Sequence, residues 1–486
     1  MITTRTPSLI GSPRKFCLRV WFTSWCLTCL ILVLLKLPIT CGNKSSTRSK
    51  VRPLERVDLI DVDTVEYGFV SNATWVPPED WKFTANALSA SQNMFVIEDF
   101  KCTNINTKED VCAKIRNAYD NAGQRITAVL DIKSPISVQV NIRRFCESKL
   151  SRLCKSNTLG QASAASYWAM EGFEENSIDP NYMYPQALVK QLGVQFAFSK
   201  FDIIAEHNSD RRSSVWFQED GPIKSNQYEF EYIVLHELLH GLGFASSWNK
   251  YVDGFNMITP PLKEDENGSG KLMGFRKLNI FDKYLVTGKE NLHLSNYEKL
   301  MIESTNAMSS LPKLEWMKAF GQTSGGLAAQ TLFSYVTVSN GLIFSFPNEE
   351  VDSWSNETDS ENVTGSAIET GLSLYSPAPF TRGSSISHFD SEKYKGTSEF
   401  LMRPSAETGA QLDRPELGLV AGAFGPGILK VFRALGYKLK EDPQFAPRSA
   451  PQVITSACRT LRSNFSWKYS LILVTINLSF TFVRSP

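Results

Sequence analysis

Apolar and polar positions alternate from Ala128 to Arg143, where Ile132, Ile136, Val138 and Val140 recur among polar neighbours. That period of two predicts a strand. Phe201 to Ala205 predicts a second strand, and Tyr184 to Leu192 between the two predicts a helix. From Phe230 to Phe244 the period changes. Phe230, Ile233, Val234 and Leu238 share one helical face, and Gly243 can take the left-handed conformation that ends a helix. Ile428, Leu429, Val431, Phe432 and Leu435 suit a further helix over Gly427 to Leu439, stopped at Gly436. Strands followed by such helices predict an α+β domain with a cleft along a sheet edge.

Two apolar stretches lie outside that pattern. Val20 to Leu37 follows Arg5, Arg14, Lys15 and Arg19 and gives way to small residues near Gly42. It reads as a secretory signal over residues 1–42, with an uncleaved signal anchor as the alternative. Tyr469 to Val483 is mostly apolar and follows Ser456-Ala457-Cys458 and a polar spacer. This is the layout of a GPI attachment signal near Ser456 within a 446–486 linker and tail; a membrane helix competes, but about 15 residues is short for one. Sequons at Asn72, Asn267, Asn356, Asn362 and Asn464 agree with export to the cell surface or beyond.

Of nine cysteines, Cys17, Cys26, Cys29 and Cys41 fall in the leader and Cys458 near the end. The remaining Cys102, Cys112, Cys146 and Cys154 predict two disulfides, most simply Cys102–Cys112 and Cys146–Cys154, although three pairings are possible. None has the C-x-x-C spacing of a zinc site. Residues 43–95 are polar and contain Pro53, Pro77 and Pro78, as a lead-in or propeptide would; the main domain is expected over 96–445. A net charge of +1 with both signs interspersed gives no footprint for nucleic acid or an acidic substrate.

The candidate chemistry sits on the central helix. His236-Glu237-Leu238-Leu239-His240 matches H-E-x-x-H, and only five histidines occur in 486 residues. A helix turns about 100° per residue, so His236 and His240 stand one above the other and can offer two nitrogens to one ion. Catalytic zinc takes three protein ligands as a rule. The short pattern H-E-x-x-H-x-x-G-x-x-H would put the third at position 246, where this chain has Ser246. Another histidine, His388, occurs far downstream in Gly383-Ser-Ser-Ile-Ser-His-Phe-Asp390, followed by Met402 in Glu399-Phe-Leu-Met-Arg-Pro404.

Together these motifs resemble a metzincin zinc endopeptidase, specifically one similar to leishmanolysin, over roughly residues 125 to 440. Ile280-Phe-Asp-Lys-Tyr-Leu285 and Leu435-Gly-Tyr437 resemble a broader group of exported zinc proteases. The resemblance implies a zincin-type α+β domain with a twisted sheet, an active-site helix and a long insertion, here 245–382, before the third ligand. It implies one catalytic Zn2+ held by His236, His240 and His388, with Met402 as an apolar floor in a Met-turn. It implies peptide-bond hydrolysis of protein or peptide substrates, with Glu237 as general base and then general acid. Asp282, His293 and Asp390 compete for the third ligand position, and Asp390 has the further reading of a carboxylate that orients His388. Rival readings are a gluzincin-type protease with Glu298 or Glu303 as third ligand, and a catalytically dead surface adhesion protein on the same scaffold.

Overall fold

The computed structural model describes residues 51–61, 66–69, 93–102, 110–146, 157–172, 178–194, 196–265, 269–347 and 371–443. The leader, Cys154, Ser456 with the apolar tail, and the sequons at Asn72, Asn267, Asn356, Asn362 and Asn464 lie outside them. No helix of the described residues is long and apolar enough to cross a membrane.

Four strands and three helices frame the site: β1 (Phe95–Cys102), α1 (Val111–Val129), β2 (Ile136–Arg143), β3 (Gly160–Ala164), β4 (Ile203–Asn208), α2 (Phe230–Gly241) and α3 (Pro426–Leu435). The strands form one sheet in the order β1-β2-β4-β3. β1, β2 and β4 run parallel, whereas β3 lies antiparallel against β4 at the sheet's end. Parallel neighbours need a crossover, and α1 provides it between β1 and β2. Its apolar residues Val111, Ile115, Ala118, Ala122, Ile126 and Val129 recur every three or four positions and are buried, and the Asp110 side chain accepts the Ala113 N–H as its N-cap. A disulfide, Cys102–Cys112, ties its first turn to the end of β1.

The helix spacing of α1 outweighs the alternation expected from Ala128. Ala128 and Val129 complete that helix, and the strand begins only at Ile136. The other elements fall within a few residues of expectation, with the short helix at Gln186–Gln191 and the second strand at Ile203–Asn208.

Strand register explains how α2 reaches the sheet. Val138, Ile203 and Ala164 are Cα partners across β2, β4 and β3, as are Val140, Ala205 and Ala162, and then Ile142, His207 and Gly160. At a period of two, these rows share one face. The edge strand offers that face only glycine and alanine, so a helix can approach closely. Ile233 on α2 lies over Gly160, and a Cβ placed on Gly241 would stand 2.4 Å from Ile203 Cγ2. Every residue of α2 is buried, as expected of a helix apolar around most of its circumference.

A second sheet of antiparallel pairs joins Arg52–Asp61 to Glu66–Phe69 and Ser166–Glu171, and the last of these to Met183–Pro185. Part of the polar lead-in is thus built into the fold. The insertion carries helices Ser295–Thr305, Lys313–Phe320 and Ser324–Tyr335 and supplies strands to two three-stranded sheets. It is not a separate body. Phe244, just past α2, packs on Phe281 and Phe389, and Phe281 packs on Phe344, so the insertion shares the main core.

Candidate metal centre

α2 ends in a Schellman turn. The Phe244 N–H bonds the Leu239 carbonyl and the Gly243 N–H bonds that of His240, with Gly243 at φ 108°. This turn aims the Phe244 carbonyl back at the helix, where it accepts the His240 Nδ1–H at 2.7 Å. His236 is fixed in the same manner from elsewhere: its Nδ1 lies 2.8 Å from the Leu401 carbonyl. That carbonyl belongs to the tight turn Phe400–Met402, where Met402 is fully buried. The Met402 carbonyl in turn accepts the Phe389 N–H, next to His388. His388 Nδ1 meets the Ser384 carbonyl at 2.8 Å.

A carbonyl oxygen only accepts, so all three histidines carry their proton on Nδ1 and turn an Nε2 lone pair outward. The three Nε2 atoms then lie 3.1–3.2 Å from one another. With no proton available between them, three acceptors converge on one point. Burial holds each ring neutral, pushing His236 down to about 4 and His388 to about 3, and holding His240 well below the usual imidazole range. Such an arrangement is repulsive alone and satisfied by a cation. A divalent ion would take these three nitrogens as its ligands, and carbonyl-bonded second nitrogens are what metal-binding histidines have as a rule.

Among the described residues, His236, His240 and His388 form the only group able to hold a metal in this way. Glu298 and Glu303 lie on the insertion helix Ser295–Thr305 outside that group, and His293 is exposed. Along α2, the neighbours Val234, Leu235, Leu238 and Leu239 are 0% exposed, while His236, Glu237 and His240 are 9%, 7% and 8% exposed. Ile233 and Gly241, one turn to either side of Glu237, pack toward the sheet, which puts Glu237 on the side of α2 nearest β3 and β4.

Three expectations need correction or completion. Asp390 does not orient His388: its carboxylate accepts the Glu392 and Lys393 N–H groups, and the Ser384 carbonyl does the orienting. A short loop favours this, because an aspartate satisfies amides two and three residues ahead more readily than a ring behind it. Asp282 is no ligand either. It is buried and collects the Ser246 and Ser247 hydroxyls together with the Ser247 and Asn279 amides. Cys102–Cys112 is present as expected; Cys146 is also disulfide-bonded, and Cys154, the partner expected for it, lies outside the described residues.

Sequence reasoning missed the groups that hold the ligands. The Leu401, Phe244 and Ser384 carbonyls carry no side-chain signature. Ser387 and Ser246 were visible only as neighbours of stronger motifs.

The fold and site define an α+β domain with a three-histidine candidate metal centre set between a buried helix and a distant loop. The chain belongs to the SPBPB7E8-like family, whose sequence profile matches residues 80–268 and 363–457. Both matched segments contain candidate ligands, and the gap between them falls in the insertion. A protein of Schizosaccharomyces pombe (strain 972), described as uncharacterized protein PB7E8.01, is 24% identical over 387 residues, which is 72% of this chain and 63% of that protein. The chain thus spans less than two thirds of that relative's length. No solved structure matches.

Proposed function

We propose that this chain is an exported zinc-dependent metalloendopeptidase of metzincin-like build, resembling leishmanolysin and acting on proteins or peptides. The observation that carries the reading is the convergence of three lone pairs from His236, His240 and His388, each ring locked by a carbonyl behind it. A histidine in the third position favours this over the gluzincin-type alternative. The intact Glu237 between the two histidines favours an enzyme over a dead scaffold.

Zinc, when bound, supplies a Lewis acid for the scissile carbonyl and lowers the pKa of water at the site to about 7. The Glu237 carboxylate would take a proton from the attacking water and return it to the leaving amine.

The test is a pair of measurements on Glu237→Ala. The variant is expected to retain zinc at the wild-type stoichiometry while cleavage of an unfolded protein falls by about 10²–10⁴. Cleavage at the wild-type rate would sink the mechanism.

A further inference from the structure

Ser246 occupies the position at which the short-spaced zinc pattern carries its third ligand. Its backbone N–H donates to the Ser387 hydroxyl at 3.1 Å, and Ser387 immediately precedes His388. The Ser246 hydroxyl donates to Asp282 at 2.6 Å, and Asp282 also accepts the Ser247 amide at 2.9 Å and the Ser247 hydroxyl at 2.5 Å. We propose that Asp282 is a positioning residue for the metal centre: by folding the Ser246–Ser247 turn around its carboxylate, it presents the amide that seats the segment delivering His388. This rests on the reading of the three histidines as a metal site.

Two further observations support it. The same turn begins with Phe244, whose carbonyl orients His240, so one anchored loop serves two ligands. The delivering segment is also strained: Ile386, two residues before His388, holds φ at +70° and is fully buried. A β-branched residue in that region is strained and persists only where its surroundings over-determine it. The Ser246–Ser387 bond is one of the restraints. Others are the Ile386 N–H to the Tyr375 carbonyl and the Tyr375 N–H to the His388 carbonyl. Because those others remain, losing the Asp282 clamp should loosen the ligand without unfolding the loop.

The experiment measures zinc affinity of the full chain by chelator competition and records the visible spectrum of the cobalt-substituted protein. Asp282→Ala is expected to lose about 10–100-fold in zinc affinity, the range typical of groups that orient ligands, and to alter the cobalt bands. Asp282→Asn, which keeps a carbonyl acceptor, should recover part of both. Ser387→Ala removes only the acceptor beside His388 and should lose about tenfold. It keeps the inference testable should Asp282→Ala fail to fold. Wild-type affinity and cobalt bands in a folded Asp282→Ala or in Ser387→Ala would overturn it. A wild-type chain that binds zinc but cleaves nothing would end the protease reading alone, since the affinity comparison still decides the clamp. A chain that binds no zinc would end both.

Discussion

Four of the five histidines are buried, and what separates them is the group met by the second ring nitrogen. In His236, His240 and His388 one nitrogen is spent on a carbonyl and the other is left for an ion. In His207 the Nε2 lies 2.7 Å from the Tyr119 hydroxyl, and Nδ1 meets no partner. Burial pushes that ring down to about 3, so it stays neutral and contributes no charge to the sheet. Tyr119→Phe would leave both its nitrogens unpaired in the core. The expected cost is about 1–3 kcal/mol in a urea melt, with zinc affinity unchanged; an unchanged midpoint would mean the pair contributes nothing. At this scale the sequence was legible where helix geometry did the work. Spacing alone brings His236 and His240 together. His388, 148 residues from His240, was reachable only through its association with Met402 and a family likeness. The Asp282–Ser246–Ser387 contacts were not legible, because hydroxyl-to-amide bonds between distant loops leave no periodic trace.

Elements were legible in proportion to how far one pattern dominated them. α3, with its glycine stop at Gly436, follows from spacing and cap. α1 did not emerge, because its many polar residues dilute the apolar stripe and its last turn mimics a strand. Gly241 is intelligible only in three dimensions, as the point where α2 and β4 touch. The entry to α2 carries a titration. Glu229, the residue before it, accepts the Leu412 N–H and is pushed up to about 8, first by burial and then by neighbouring Glu231. The folded chain therefore keeps a proton there that the unfolded chain releases near 4.5. The stabilising contribution is complete below that lower value and is lost as pH rises through about 8. Glu229→Gln keeps an acceptor and never ionises. Its stability relative to the wild type should climb between about pH 5 and about pH 9, as read from urea midpoints. Parallel curves would rule out Glu229 as the group responsible.

For the whole molecule, the insertion is packed into the common core through Phe281 and Phe344, although the family profile leaves residues 269–362 unmatched. The sequence announced its length and not its burial, since its aromatic residues have no regular period. The GPI attachment proposed from the sequence of the tail has its own test. Phosphatidylinositol-specific phospholipase is expected to release the protein from intact cells; retention, with release by detergent, would favour a membrane helix instead.

The separation of the ligands also sets an order in time. A ribosome adding about 5–20 residues per second takes roughly 7–30 s to travel the 148 residues from His240 to His388. Throughout that interval the emerging chain has two of the three histidines, and neither the Leu401 carbonyl nor the Met402 turn yet exists to hold them. The complete three-histidine site therefore arises late in biosynthesis, after nearly all of the domain has been made, and a chain terminated before His388 cannot assemble it.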